Sequence, residues 1–139
     1  MNASNSGQQA QDVSLLSILM KIQIIAFLIY GITFFFIPAW TLQAIFAFDQ
    51  LPPLTWPRAV GGMFLAIALA EYLCDRRLSE RLDLAWFFSI IPGFLLVSFI
   101  WDRVAGAYQG SELFYWVSVV VTAFFFVAIG GSRLKIRTQ

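Results

Sequence analysis

The sequence predicts an all-α integral membrane protein, a bundle of four transmembrane helices with both termini in the cytoplasm. Apolar residues make up 60% of the 139-residue chain and charged residues only 12%, about half the charged share of a typical globular domain. Residues 84–101 and 113–132 contain no charge. A helix needs about 20 apolar residues to cross the bilayer, where an open backbone finds no hydrogen-bond partners. The lipid bilayer is therefore the first partner that we expect.

The N-terminal third contains one predicted span between polar and interfacial segments. Residues 1–13 are polar and are predicted to form a disordered tail. Ser14 suits the N-cap of a first helix over residues 14–37, which Pro38 ends or bends. Residues 39–48 are too few to span and are predicted to lie flat at the membrane interface.

The remaining chain contains three further predicted helices and completes one domain over residues 14–132. Pro57 suits the first turn of the second helix. Pro92 and Gly93 stand at the centre of the third and predict a kink. The predicted helices cover residues 55–73, 84–101 and 112–131, and a basic cytoplasmic tail covers residues 133–139.

The basic residues predict the orientation. Four spans place the termini and the middle loop on one side of the membrane, together with Lys21, Arg76, Arg77, Arg81, Arg133, Lys135 and Arg137. The other side holds only Arg58 and Arg103. Because basic residues concentrate in cytoplasmic segments, both termini are predicted to be cytoplasmic.

Two charged residues near the cytoplasmic side are candidates for a site. A carboxylate within a span, as at Glu71, suggests a proton or cation site. Glu71 is also close to the headgroups, where it would reach water or pair with Arg76 or Lys21. Lys21 either pairs with Glu71 or extends its ammonium to the surface. We favour the structural interpretation for both residues.

Two further charges, Arg58 and Asp102, are predicted near the outer ends of the second and third helices. Arg58 would bind an anionic headgroup or a substrate acid. Equally, Arg58 and Asp102 would form an ion pair that fixes helix packing, and the sequence does not separate the two alternatives.

A stripe of small residues runs along the second helix at four-residue spacing, through Gly62, Ala66 and Ala70, with Gly61 beside it. Small residues allow two helix backbones to approach closely within a membrane. The stripe predicts a packing face, whose partner helix belongs either to this chain or to another.

Two segments carry a resemblance to a known family. The motif YGITFFFIPAW and the later PRAVGGMFLAIALAEYL resemble small four-helix bacterial membrane proteins of the DoxX-like type. The resemblance covers about residues 29–73. It implies four helices in a bacterial inner membrane and makes Arg58, Gly61 and Gly62 family-like positions, with no catalytic role attached.

Composition excludes several classes of function. The chain has no histidine and one cysteine, Cys74. It therefore lacks the residues for His-ligated haem, the common zinc sites and nucleophile–histidine pairs. We predict no metal site, cofactor or catalytic residue. A net charge of +1 gives no reason to expect nucleic acid.

Three functions remain. We expect a non-catalytic accessory or assembly subunit, with another membrane protein or a second copy as its partner. The alternative is binding or modification of a lipophilic small molecule (a quinone, isoprenoid or lipid) in a cavity beside Pro92-Gly93. Its polar groups would be Ser89, Ser98, Thr122 and Tyr30. A small multidrug-type transporter is the third and least expected function. Glu71 lies too near one membrane surface for such a transporter, and basic residues are too unevenly divided between the two sides.

Overall fold

A computed structural model describes residues 3–108 and 110–137 of the chain. Within them the protein is all-helical, with α1 (Ala3–Phe36), α2 (Pro38–Trp40), α3 (Thr55–Asp75), α4 (Leu82–Val104) and α5 (Glu112–Arg137). A π-helical turn, Thr41–Ile45, continues α2. Four helices, α1, α3, α4 and α5, are long and apolar enough to cross a membrane. The predictions of an all-α fold and of four helices of spanning length are confirmed.

The N-terminal end of α1 and the C-terminal end of α5 differ from the prediction. The expected disordered tail is helical from Ala3 onwards, and α5 continues past Gly131. These extensions contact each other: Lys135 Nζ donates to Asp12 Oδ1 at 2.8 Å, and Ile136 is buried. A glycine inside a helix costs about 1 kcal/mol of helix stability relative to alanine. Tertiary contacts of this kind outweigh the low helix propensity of these polar and glycine-containing segments.

The segment after α1 packs against the bundle. Pro38 occupies the first turn of α2, so it starts a new helical segment after α1 has ended. The Thr41 hydroxyl donates to the carbonyls of Thr33 and Ile37 at 3.1 and 2.9 Å. The Phe46 ring then lies between the rings of Phe34 and Phe114, tilted against both, with ring centroids 5.5 and 5.6 Å away. That the segment lies at the membrane interface stays a prediction.

The four long helices form two hairpins, α1–α3 and α4–α5. Each pair is in extensive contact, α1 also meets α5, and α3 meets α4 only slightly. Within the first hairpin Gly61 allows the closest approach, because a Cβ placed there would lie 2.5 Å from the backbone nitrogen of Phe35. The bundle is therefore two tight pairs joined mainly through α1 and α5.

The two ends of the bundle are packed differently. We call the end near Asp12, Asp75, Leu82 and Arg133 the termini end, and the end near Phe36 and Glu112 the far end. The main buried cluster lies toward the termini end and consists of Leu16, Leu19, Met20, Cys74, Leu78, Ala85, Phe88, Phe125, Ile129 and Ile136. This cluster joins the two hairpins.

Candidate functional site: a cavity between the hairpins

A cavity of about 250 Å³ lies between the hairpins, from the middle of the bundle towards the far end. Its apolar walls come from α1, the segment after α2, α3, α4 and α5, and include Phe27, Phe34, Phe46, Phe64, Leu95, Phe99 and Phe125. Four polar side chains also line it: Gln23, Tyr30, Ser118 and Thr122. The slight contact between α3 and α4 leaves this space open.

The cavity contains part of the polar set predicted for it. Tyr30 and Thr122 line it, as does Pro92, whereas Ser89 and Ser98 do not. Both of those serines donate to carbonyls of their own helix, at 2.8 and 3.0 Å. The Thr122 hydroxyl is likewise bonded within α5, to the Ser118 carbonyl at 2.7 Å. The walls therefore present few unbonded polar groups.

Gln23 is a cavity residue that the sequence did not lead us to predict, and it has a specific partner. A proline has no N–H, so Pro92 leaves the carbonyl of Phe88, four residues earlier, without its helical hydrogen bond. Gln23 Nε2 donates to that Phe88 oxygen at 3.2 Å. Freed backbone groups inside a membrane are commonly satisfied by side chains of neighbouring helices. A glutamine within one apolar run and a proline within another together predict a contact of this kind.

Glu71 and Lys21 occupy different environments. Glu71 is fully buried, and neither of its carboxyl oxygens has a hydrogen-bond partner among the described residues. Lys21 has an exposed side chain, and its Nζ lies 3.8 Å from Asp75. The Ser17 hydroxyl also donates to Asp75, at 2.6 Å. The suggested Lys21–Glu71 pair is therefore replaced by Lys21–Asp75, and Lys21 reaches the surface.

Arg58 and Asp102 are not brought together as an ion pair. Both residues are exposed, and neither belongs to an ion pair within residues 3–108 and 110–137. Asp102 instead borders a second cavity of about 210 Å³ at the far end, together with Tyr108. The two cavities share Phe34, Phe46 and Phe99 as wall residues.

Tyr108 is a hydrogen-bond donor at this second cavity. Its hydroxyl donates to the carbonyl of Ser111 at 2.9 Å. Burial raises the pKa of Tyr108, the neighbouring Glu112 carboxylate raises it further, and Arg103 partly opposes this. Tyr108 is therefore neutral at physiological pH.

The small-residue stripe divides between two faces of α3. Gly61 is buried against α1, and Gly62 lies near the Phe35 ring, 3.7 Å from a Cβ placed there. Ala66 and Ala70 are exposed.

The site offers binding surfaces without an evident reaction centre. Among the described residues no group of three or more His, Cys, Asp or Glu side chains is placed to hold a metal ion. No family model, curated protein or solved structure matches this chain. The resemblance to DoxX-like proteins therefore stays a prediction.

Proposed function

We propose that this chain is a multi-pass protein of the bacterial inner membrane that binds a lipophilic small molecule, such as a quinone, an isoprenoid or a lipid. The cavity between the hairpins carries the proposal. Its volume of about 250 Å³ is bordered mainly by phenylalanine and aliphatic side chains. Dry apolar cavities of about 150 Å³ already take up a molecule the size of benzene.

The polar groups of the cavity favour recognition of a largely apolar molecule. Small-molecule sites are mostly apolar, with a few polar groups that orient the ligand. The Thr122 hydroxyl is bonded within its own helix, and Gln23 Nε2 is bonded to the Phe88 carbonyl. Among the described residues the Tyr30 hydroxyl forms no hydrogen bond, so Tyr30 is the group that we expect to orient a ligand. We therefore propose binding without chemical conversion.

The orientation follows from the charges around the two ends. The termini end and the adjoining loop hold Arg76, Arg77, Arg81, Arg133 and Lys135, while Arg58 and Arg103 lie towards the far end. The positive-inside rule favours the side richer in Lys and Arg as cytoplasmic. We accordingly place the termini end in the cytoplasm and the far end in the periplasm.

Native mass spectrometry of gently extracted protein tests the binding proposal. The wild-type chain should carry a stoichiometric lipophile, identified afterwards in an organic extract. Val121 lines the cavity, whereas its neighbour Val120 does not and is exposed. V121W should therefore lower the bound fraction at least tenfold, and V120W should leave it unchanged. A wild-type chain without a bound lipophile, or equal occupancy in both variants, would contradict the proposal.

An accessory or assembly subunit is the second candidate, and the outer face of α3 favours it. This helix packs mainly against α1, and Ala66 and Ala70 leave a shallow exposed face. Such a face suits close approach of a helix from another membrane protein or a second copy. Replacing both alanines with Ile should abolish co-purification of a partner in fixed ratio. Leu69→Ile, on an exposed part of the same helix, is the control.

A further inference from the structure

Three buried oxygen atoms at the α1–α3 contact have no hydrogen-bond partner among the described residues. They are Gln23 Oε1 and both carboxyl oxygens of Glu71. Gln23 is 1% exposed and Glu71 is 0% exposed. An ionised carboxylate without hydrogen-bond donors is strongly disfavoured in an apolar interior. We therefore expect a proton or another cation to neutralise the charge of Glu71.

The contact between Gln23 and the Phe88 carbonyl fixes which end of the amide is the acceptor. A carbonyl oxygen can only accept a hydrogen bond, so of the two ends of the Gln23 amide only the NH2 group can bond to it, and Pro92 leaves the Phe88 carbonyl without its helical donor. Nε2 of Gln23 therefore faces Phe88, at 3.2 Å. Oε1 must point in another direction, where it needs a donor.

The antiparallel register of α1 and α3 places Gln23 and Glu71 at the same level along the two helices. On the termini side of this level, Ser17 and Lys21 both meet Asp75. On the far side, Phe27 stacks on Phe64 with ring centroids 5.4 Å apart. Glu71 lies one helical turn from Asp75, and Gln23 lies between Lys21 and Phe27 on the facing helix.

We propose that Glu71 and Gln23 form a proton-binding site between α1 and α3, in which the Glu71 carboxyl holds a proton at neutral pH and donates it to Gln23 Oε1. The proton removes the negative charge and converts one carboxyl oxygen into a donor for Gln23 Oε1, while the other carboxyl oxygen becomes a neutral carbonyl acceptor. A cation of the Mg²⁺ or Ca²⁺ type is a poorer occupant because it takes at least about six oxygen ligands. The site goes beyond lipophile binding and does not depend on it.

The charged and titratable groups around this site leave the Glu71 carboxyl without a counter-ion. Asp75 and Cys74 lie on its own helix, and Asp75 is already bonded to Ser17 and close to Lys21. Cys74 Sγ donates to the carbonyl of Arg81 at 3.7 Å. From α5, Arg133 Nη2 pairs with Asp83 at 2.6 Å and is not among the partners of Glu71.

Infrared spectroscopy of the full-length protein in lipid nanodiscs tests the proton. Protonated carboxyl groups absorb at higher frequency than carboxylates, and the band shifts in D₂O. The wild-type spectrum at neutral pH should contain such a band, and E71Q should remove it. D75N should leave it intact, which makes it the matched control. Since glutamine also provides an N–H donor for Gln23 Oε1, E71Q should retain the fold.

A second measurement needs no variant. Hydrophobic carbodiimides react with protonated carboxyls in apolar surroundings, so peptide mass spectrometry should find label on Glu71 and not on Asp75. The absence of both the label and the E71Q-sensitive band would overturn the proposal. Labelling of Glu71 that Na⁺ or K⁺ suppresses would also overturn it, because a metal cation would then be the occupant.

Discussion

The termini end and the far end of the bundle differ in how the two hairpins are held together. At the termini end, Lys135 of α5 donates to Asp12 of α1 and so joins the two hairpins, while Arg133 donates to the Leu82 carbonyl at 2.6 Å within the α4–α5 hairpin. The main buried cluster lies beside these contacts. Towards the far end the hairpins are separated by the cavity. Among the residues that the structure describes, a backbone hydrogen bond crosses there from the N–H of Ser111 to the Phe46 carbonyl at 2.9 Å, beside the contact of the Phe46 and Phe114 rings.

The difference shows what holds helices together in lipid. Lipid is as apolar as the helix surfaces, so association depends on close packing and on polar contacts between helices. The termini end has both. The far end has large aromatic rings that meet through a few stacked pairs and leave space between them. That looseness is suitable for a ligand, since one end fixes the hairpins while the other leaves a cavity.

The largest expected effect comes from deleting the same side chain at the two ends. Leu16 is 0% exposed in the main buried cluster, whereas Leu95 borders the cavity. We expect Leu16→Ala to lower the free energy of unfolding by about 3 kcal/mol and Leu95→Ala by about 1 kcal/mol, because the second site already adjoins empty space. Unfolding in mixed detergent measures both. Equal losses would contradict the comparison.

Substitution of Gly61, at the close α1–α3 contact, tests how tightly the first hairpin is packed. In Gly61→Ala the new Cβ would lie 2.5 Å from the backbone nitrogen of Phe35, which has no flexible end to move. We expect a loss of about 2 kcal/mol despite the better helix propensity of alanine. Gly62→Ala is the control, since its Cβ would be in ordinary contact at 3.7 Å from the Phe35 ring. The prediction fails if both variants unfold alike.

The polar contacts of the termini end form a third test. Arg133 has a side chain only 11% exposed, and it donates to both the Leu82 carbonyl and Asp83. Arg133→Met should reduce the free energy of unfolding by about 1–2 kcal/mol, because it removes the charge-assisted hydrogen bond to the Leu82 carbonyl. Asp83→Asn, which keeps the Leu82 contact at an exposed position, should produce no resolvable change. A larger effect from Asp83 would mean that the ion pair matters more than the carbonyl contact.

The smallest effect is expected at the far end. Arg103 and Glu112 form an ion pair whose side chains are 46% and 61% exposed, within the α4–α5 hairpin. Exposed pairs of this kind contribute about 0–1 kcal/mol, so Glu112→Gln should change thermal stability very little. Thermal unfolding at low and high salt checks this. A salt-dependent loss as large as that of Arg133→Met would remove the contrast between the ends.

The sequence predicts the helices much better than their contacts. Uncharged runs of spanning length identify α4 and α5 almost directly, because composition alone decides whether a helix suits lipid. The helical start of α1 was not predicted, since the Asp12–Lys135 contact joins opposite ends of the chain. For the same reason, the choice of Asp75 as the neighbour of Lys21 depends on the register between helices.

The candidate site was predicted in part. Pro92 indicated the region of the cavity, and Tyr30 and Thr122 do line it. The cavity itself comes from the separation of α3 and α4, which no local pattern encodes. Gln23 could have been predicted as a contact residue. A polar side chain inside a span needs a hydrogen-bond partner, and a proline inside another span provides a free carbonyl.

The pairing of helices that are neighbours in sequence has a consequence for biogenesis. The α1–α3 hairpin contains its own closest contact, at Gly61, so it can assemble in the membrane while the ribosome is still synthesising α4. The second hairpin would then insert as a unit and dock through α1 and α5. The cavity lies between these two hairpins, so it forms only after both have been inserted into the membrane. A chain divided in the loop between α3 and α4 and co-expressed as two pieces should therefore reassemble and recover the cavity.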